Sequence, residues 1–466
     1  MANPSTLTSV RSSPAASQQI LTSSAVVTPE GSLTPAGLQA LFDLFTPIVQ
    51  QFRNASSEQQ VPTGQTTLTP GGTDEFRIAS VGLGYELESS HSLTVSIQNT
   101  SAAAITVNAS PFFPLDCITN TQVQLNGGAT IYSASAKAGF KVATRHYRGI
   151  LTALLAGSRN AFCNYSYTYT GTAPTVNAAT PLAFSFSGIG SIDVPADSTI
   201  TLNVKFETRE PLAKDEVSLI GALMLQNNQT YATCQRQMIG NLLGTTNTSP
   251  LYTASANLAN LTIGGPGANG KQPQIVTDTT YDFWALPTDT ALYAEMVANS
   301  YYVTEQANNP INNTGSQAVR YNIPQNTILM AMHMGFVDGN GNYMMPYANA
   351  GESNAPDVPR WQLSYNAGVI NPVTKFAGRE RLRQMLIYGG DIGSVPGYLL
   401  WDGAATGPDV NTTDEAGFLD TYYAANPEFI TDISSTVVTK GTQTATFSVT
   451  REYIVTSNVQ VIGGAG

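Results

Sequence analysis

The stretch that decides the fold runs from Leu93 to Tyr132 and reads LTVSIQNTSAAAITVNASPFFPLDCITNTQVQLNGGATIY. Apolar and polar residues alternate along it, with apolar side chains at Leu93, Val95, Ile97, Ile105 and Val107. A period of two places these side chains on one face of a strand, which is typical of a half-buried β-sheet. Pro111 and Pro114 interrupt the pattern, and Asn126-Gly127-Gly128 predicts the turn of a further hairpin. The stretch therefore predicts short antiparallel strands, without any pattern typical of a reaction centre.

Similar alternation recurs along the rest of the chain. It predicts strands at 76–78, 81–87, 182–186, 200–206, 276–286, 328–337, 436–439 and 445–455. Helical excursions are predicted at 134–155 and 373–385, and the segment 288–303 is also helix-like. The sequence Asp338-Gly339-Asn340-Gly341-Asn342 predicts a turn, and residues 61–73, with two prolines and three glycines, predict a linker.

The length of the chain and the plan of its two halves predict its domains. At 466 residues the chain exceeds the usual size of a single hydrophobic core, so two domains are expected. Each half combines many short strands with a helical excursion, which predicts a duplicated β-sandwich. We therefore predict an all-β protein with an N-terminal arm at 1–73, a first unit at 74–287 and a second unit at 288–466.

The N-terminal arm contains one clear amphipathic helix, predicted at about 34–53. Thr34 can cap it and Pro35 occupies the first helical position, while Pro47 would kink or divide it. Its apolar stripe consists of Leu38, Leu41, Phe42, Phe45, Ile48, Val49 and Phe52. This stripe can pack against the main body of the protein, or it can face a lipid surface or a neighbouring subunit.

Composition excludes several classes of function. Charged residues make up 11% of the chain, against about 25% in an average soluble protein, and the net charge is −11. A surface of Asn, Gln, Ser and Thr suits a protein that is covered by copies of itself, because few long charged side chains must be ordered on assembly. The negative charge argues against direct, sequence-specific nucleic-acid binding, which needs clustered Lys and Arg.

The sequence predicts no metal or cofactor site. The three cysteines are far apart, and the three histidines, His91, His146 and His333, lack metal-ligand spacing and are interpreted as unrelated. The turn that starts at Asp338 resembles a calcium loop but lacks its glycine and terminal glutamate, so a hairpin turn is favoured. Glu86 and Glu88 share a strand face, and no role is assigned to them.

Arg379 and Arg383 lie four residues apart on one face of the predicted helix at 373–385. They are interpreted as a solvated or subunit-facing basic surface, with a nucleic-acid site as the less favoured alternative. The N-terminus lacks the pattern of a secretory signal, and the apolar run 219–225 is too short for a bilayer, which needs ~20 residues. We therefore expect a soluble protein that is made in a cytoplasm.

Four places, in this order along the chain, resemble the major capsid proteins of tectivirus-type bacteriophages, the double jelly-roll lineage that includes adenovirus hexon. The first is the opening stretch with Phe112-Phe113-Pro114, and the second is Pro211-Leu212-Ala213 followed by Leu219-Ile220-Gly221-Ala222. The third is Phe336-Val337-Asp338-Gly339-Asn340-Gly341. The fourth joins Arg379-Glu380-Arg381-Leu382-Arg383 to Asp391, Pro396-Gly397-Tyr398 and Asp402.

The resemblance implies a specific architecture and function. Each subunit would carry two consecutive eight-stranded jelly rolls, and three subunits would form a pseudo-hexagonal capsomer without catalytic activity. These capsomers would build an icosahedral virion shell around an internal membrane, which the N-terminal helix would face, and a double-stranded DNA genome. Partners would be neighbouring capsomers, penton proteins and minor capsid or membrane proteins.

The chain departs from the family pattern in two respects. Its Ser/Thr-rich arm is longer, and its second-half loops at 308–316 and 403–420 are larger. A β-sandwich carbohydrate-binding protein or glycoside hydrolase is the alternative function. It would need a carboxylate pair that cannot be chosen among 32 acidic residues without geometry.

Overall fold

The computed structural model of the chain describes 18 segments between residues 58 and 456. They are 58–78, 82–125, 128–147, 149–155, 162–180, 184–215, 219–224, 231–265, 271–285, 300–346, 357–358, 360–365, 368–372, 385, 387–403, 419–421, 426–434 and 444–456. The predicted helix at 34–53 lies outside the described residues. The same holds for Arg379 and Arg383.

The first half of the described chain is dominated by strands. They are β1 Glu58–Leu68, β2 Thr73–Ile78, β3 Leu83–Asn99, β4 Ile105–Ala109, β5 Ile118–Leu125, β6 Ala129–Ala134, β7 Cys163–Thr170, β8 Thr175–Ala178, β9 Ile189–Val194, β10 Thr199–Pro211, β11 Leu223–Met224, β12 Ala232–Met238, β13 Leu243–Gly244, β14 Leu251–Tyr252, β15 Leu261–Gly264 and β16 Gln274–Trp284. Helices α1 Ala136–His146 and α2 Ile150–Leu155 occupy the predicted excursion at 134–155, and a short α3 spans Ser255–Leu258.

Eight of these strands form a jelly roll. One sheet has the order β1-β16-β3-β10 and the facing sheet the order β2-β12-β5-β6. Counted within this set of eight, the orders are 1-8-3-6 and 2-7-4-5. Successive strands therefore change sheet at every step except between the fourth and fifth, β5 and β6, which form a hairpin in one sheet. This connectivity is that of the eight-stranded jelly roll.

The second half repeats this plan. Its strands are β17 Ser300–Pro310, β18 Gly315–Asn322, β19 Ile328–Val337, β20 Arg360–Tyr365, β21 Gly368–Pro372, β22 Tyr398–Asp402, β23 Leu419–Asp420, β24 Glu428–Ile433 and β25 Thr446–Thr456. The two sheets are β17-β25-β19-β22 and β18-β24-β20-β21, which is again 1-8-3-6 and 2-7-4-5. The predicted double jelly roll is confirmed.

A shared sheet and a helix connect the two rolls. Strand β6 of the first roll pairs in parallel with β17 of the second, with Thr304 opposite Tyr132, which creates one sheet across the boundary. Helix α1 packs against β10 of the first roll and β19 of the second. Each roll has its own apolar core, and a third core lies under β3 and β10 where the added sheet β13-β14-β4-β9-β8 covers them.

The structure confirms several predicted elements and corrects others. The strand predicted at 328–337 is β19, which is buried along nearly all its length because both its faces are covered. Residues 61–73, predicted as a linker, instead contribute most of β1, which pairs with β16. A register shift between Pro62 and Gly64 accommodates the proline and glycine at the edge of the sheet, where such residues are tolerated.

Two further predictions are wrong in their described parts. In the predicted strand at 182–186, Phe184 lies in irregular chain and Phe186 in a bend, and the amide of Phe186 donates to the carbonyl of Pro111 at 2.9 Å. In the helix-like segment 288–303, residues 300–303 belong to β17, because pairing with β25 and β6 overrides the local pattern. Within the described ranges, none of the helices has the length and apolar character needed to cross a bilayer.

Candidate functional site

Helix α1 is positioned between the rolls by polar contacts at its start. Ser135 is its N-cap, and the Ser135 hydroxyl accepts from the amide of Ala138 at 3.3 Å. The amide of Ser135 donates to Oε1 of Gln306 on β17 at 2.8 Å, so the second roll fixes the first turn of the helix. Because α1 has protein on both sides, even Lys141 is buried.

A buried ionic cluster connects the end of α1 to the second roll. Its centre is Glu452 on β25, whose Oε2 lies 3.2 Å from Nη1 of Arg145 and 2.6 Å from Nε2 of His146. Nε2 of His333 contacts the other carboxylate oxygen, and the hydroxyl of Tyr302 donates to Oε2. Four different elements, α1, β17, β19 and β25, therefore meet at one carboxylate.

The electrostatics of this cluster favour an ionised Glu452. Burial alone would raise the pKa of Glu452, but Arg145, His146 and His333 outweigh burial and hold the pKa well below its usual range. Burial lowers the pKa of His333, although Glu452 acts in the opposite direction. Nδ1 of His333 lies 2.6 Å from the hydroxyl of Tyr398 on β22, which fixes the orientation of the ring.

A second polar group lies one turn earlier along α1. Nζ of Lys137 is 3.3 Å from Oδ1 of Asp116 and 3.3 Å from the hydroxyl of Tyr343. The ammonium of Lys141 lies 5.0 Å from the ring centre of Tyr398. Burial, reinforced by neighbouring Lys137, lowers the pKa of Lys141 to about 7.

A third group links the other side of α1 to the first roll. The hydroxyl of Tyr147 donates to Oε1 of Glu86, and Arg209 on β10 lies 3.5 Å from Oε2 of Glu86 and 2.9 Å from Oε1 of Glu88. Burial raises the pKa of Glu86 to about 8, although Arg209 opposes the change. The two glutamates left without a role by the sequence are thus brought together by one arginine.

The three clusters differ in how far they are buried. Arg209 and Glu88 of the third cluster keep 33% and 28% of their side chains exposed. The carboxylate of Glu452 is fully buried and is surrounded by the guanidinium of Arg145, two imidazole rings and a tyrosine hydroxyl. A cavity of about 30 Å³ beside α1 and Arg209 has room for about one water molecule. No group of three or more His, Cys, Asp or Glu side chains in the described segments is arranged to hold a metal ion. The Glu452 cluster thus joins side chains from elements of both rolls.

The structure confirms one prediction made from the sequence in this region and shows that another is wrong. The turn at 338–342 is confirmed, with Oδ1 of Asp338 accepting from the amides of Asn340 at 2.9 Å and Asn342 at 2.7 Å. The interpretation of the histidines as unrelated is wrong for His146 and His333, which share Glu452. The sequence gives one indication of this buried cluster, which is that a histidine, His333, interrupts the apolar pattern of β19. Neither Arg145 nor Glu452 carried a signal of its own.

The chain resembles solved capsid protein structures, whereas no family model and no curated protein matches it. The STIV MCP superposes with a TM-score of 0.52 and 11% identity, over 88% of this chain and 99% of the STIV chain. The major capsid protein of Faustovirus superposes with a TM-score of 0.50 and 9% identity, over 86% of this chain and 90% of the Faustovirus chain. The chain has the fold of these capsid proteins. The predicted resemblance is thus confirmed at the level of the fold.

Proposed function

We propose that this chain is the major capsid protein of a double-stranded-DNA bacteriophage and acts as a structural subunit without catalytic activity. The observation that carries the proposal is the repeated strand order 1-8-3-6 and 2-7-4-5, with both rolls joined by the β6–β17 pairing. The capsid proteins with which the chain superposes share this overall fold. The carbohydrate-binding and glycoside-hydrolase alternatives gain no support from the described residues, where the buried carboxylates are engaged by protein groups.

A subunit with two similar rolls side by side can form a near-hexagonal unit from three copies, and such units can build a shell. Three copies would present six similar sandwiches around a threefold axis, and these capsomers would tile an icosahedral virion shell. Such tiling needs a subunit whose two halves keep a fixed orientation. The continuous sheet and the Glu452 cluster supply that rigidity. The low fraction of charged residues, 11%, reduces the cost of burying surface between copies.

The parts of the chain outside the described residues take their roles in this proposal from the sequence. The stripe of the predicted helix at 34–53 faces an internal membrane or a neighbouring subunit, and Arg379 and Arg383 form a subunit-facing basic surface. The arm ends before β1, so we divide the chain into an arm at 1–57, a first roll at 58–287 and a second roll at 288–466. Penton and minor capsid or membrane proteins are further partners. The protein is made in the host cytoplasm and resides in the virion.

Light scattering of the purified full chain tests the proposal. The expected result is a particle of three times the chain mass of 49.3 kDa, and electron micrographs are expected to show pseudo-hexagonal plates or shells at higher concentration. A chain that remains monomeric at every concentration would overturn the proposal.

Co-sedimentation with lipid vesicles tests the role of the arm separately. Removing residues 1–53 is expected to abolish binding to vesicles while leaving the trimer intact. Vesicle binding that is unchanged by this deletion would exclude the helix as a lipid contact, without affecting the role of the rolls.

A further inference from the structure

Strand β7 forms an exposed edge of the first roll. It reads CNYSYTYT over Cys163–Thr170 and pairs along one side with β10, and among the described strands none pairs with its other side. Every residue from Asn164 to Thr170 is exposed, whichever face of the sheet it occupies. Among the described residues, the strand therefore leaves both faces and one row of backbone hydrogen-bonding groups uncovered.

The tyrosines of β7 continue the apolar face of the sheet. Residues opposite each other in an antiparallel pair lie on the same face, and the pairs are Tyr165 with Val204, Tyr167 with Leu202 and Tyr169 with Ile200. The three partners on β10 are fully buried, whereas the tyrosines are 37%, 40% and 51% exposed. The apolar face of β10 thus continues onto β7, where its side chains are no longer fully buried.

This row holds most of the exposed large hydrophobic side chains among the described residues. Among the described residues, the exposed large hydrophobic side chains are Tyr165, Tyr167, Tyr169 and Met385. Three of the four lie on one strand and on one face. Contiguous exposed apolar surface and tyrosine enrichment are both typical of protein interfaces.

The edge lacks the features that protect the edge strands of monomeric proteins. Such edges carry lysine, proline or a bulge that prevents another chain from pairing with them. Strand β7 has no charged residue and no proline, and its register with β10 is unbroken from Cys163 to Thr170. An edge of this kind is stable in solution only if something covers it.

We propose that a second copy of this chain covers the tyrosine row of β7. This rests on the proposed capsid function, and it adds a specific contact surface to that function. Each copy has a net charge of −11, so copies repel one another wherever their charges meet. The tyrosine face of β7 carries no charge, and the neighbouring Lys205 is paired with Asn164 on the opposite face. Two copies can therefore approach there without like-charge repulsion.

The size of the row indicates that it anchors a larger contact. A tyrosine that is about 40% exposed leaves roughly 100 Å² available for burial, so the row offers roughly 300 Å² per copy. A stable interface needs ~800 Å² from each partner, so polar surface around the row must also be buried. Such an arrangement, with central aromatic side chains and a polar rim, is common in stable interfaces.

Tyr167→Glu and Thr168→Glu form a matched pair of variants for the test. Both introduce the same charge on the same exposed strand, but on opposite faces of the sheet. The wild type and Thr168→Glu are expected to assemble at the same concentration in light scattering. Tyr167→Glu is expected to need at least a tenfold higher concentration. Circular dichroism checks folding, which should be intact because Tyr167 is 40% exposed.

Three outcomes overturn the inference and leave the capsid function standing. They are normal assembly of Tyr167→Glu, equal impairment of both variants, and slow hydrogen exchange, in the dissociated wild-type chain, of those β7 amides that do not bond to β10. The last outcome would mean that the chain covers β7 with its own residues. Protection of these outward-facing amides only in the assembled state supports the inference. A wild type that never assembles would instead overturn the capsid function itself.

Discussion

Arg145 in α1 and Asp402 in β22 form a buried ion pair across the boundary between the two rolls. Nε of Arg145 lies 3.2 Å from Oδ2 of Asp402, although the residues are 257 positions apart in the sequence. The same guanidinium donates to Glu452 at 3.2 Å, so one side chain from the first half binds two carboxylates of the second. Through these contacts, Arg145 links the first roll to two strands of the second roll.

Removing the charge of Glu452 is expected to destabilise the protein strongly. In Glu452→Gln, the buried side chains of Arg145 and His146 would lose their anionic partner while remaining buried. Breaking a buried ion pair in this way costs ~3–5 kcal/mol. Urea unfolding of Glu452→Gln and of the wild type would measure this difference in the free energy of unfolding.

Glu428→Gln is the matched control for this substitution. Glu428 pairs with Arg320 at 3.2 Å, but the side chain of Arg320 is 54% exposed. The loss of a surface pair of this kind costs ~0–1 kcal/mol. Equal free energies of unfolding for the two variants would contradict a structural role for the Glu452 cluster.

Gly221→Ala is expected to disturb the contact between the 219–222 turn and β17. Gly221 has a φ of +74°, and an added Cβ would lie 2.4 Å from the backbone nitrogen of Tyr302. An alanine at positive φ costs ~1–2 kcal/mol, and overpacking against backbone that cannot move aside adds ~1–3 kcal/mol. The free energy of unfolding measured in urea should fall by the sum of both effects.

Gly71→Ala separates the two effects. Gly71 has nearly the same φ, +72°, but the nearest atom to its added Cβ is 3.9 Å away. Only the conformational cost of ~1–2 kcal/mol is therefore expected. If both alanine variants lose the same stability, close packing at Gly221 is not important.

The difference in the free energy of unfolding between Glu86→Gln and the wild type is expected to shift in favour of the variant as the pH rises from about 5 to 8. Burial raises the pKa of Glu86 to about 8 in the folded state, whereas an unfolded glutamate titrates near ~4.3. The wild type therefore loses stability as the pH rises through this window, by up to ~1.4 kcal/mol per pH unit. Glutamine does not titrate. A difference between the two proteins that is constant from pH 5 to 8, measured by urea unfolding, would refute the prediction.

Lys141→Met is expected to show the opposite pH dependence. The folded-state pKa of Lys141 is about 7, whereas an unfolded lysine titrates near ~10.4. The wild type therefore loses stability as the pH falls from about 10 to 7, because unfolding takes up a proton. The methionine variant should gain ~2–3 kcal/mol over the wild type between pH 9 and pH 7. A difference between the two proteins that stays constant from pH 9 to pH 7 would show that Lys141 is charged in the folded protein.

Local sequence patterns were sufficient for much of the β-structure. The alternation at 200–206 predicted β10, and the sequence around 126–128 predicted the hairpin, whose strands β5 and β6 pair antiparallel. These predictions succeeded because a period of two and a turn sequence are properties of neighbouring residues. The prediction failed at β1, where the partner strand β16 lies more than 200 residues away and the local sequence is mostly polar.

By itself the sequence determined that strands would dominate, that they would be divided into two similar sets, and that a helical excursion would interrupt the first set at 134–155. Alternating burial is encoded locally, so these features could be inferred without coordinates. Only the tertiary structure decided which charges meet. Arg145, His333 and Glu452 come from three distant elements, and a sequence shows that a residue is suited to burial without showing its partner. The same reason applies to β7, whose tyrosines alternate like those of any half-buried strand. Their exposure became visible only when the structure placed β7 at the edge of its sheet.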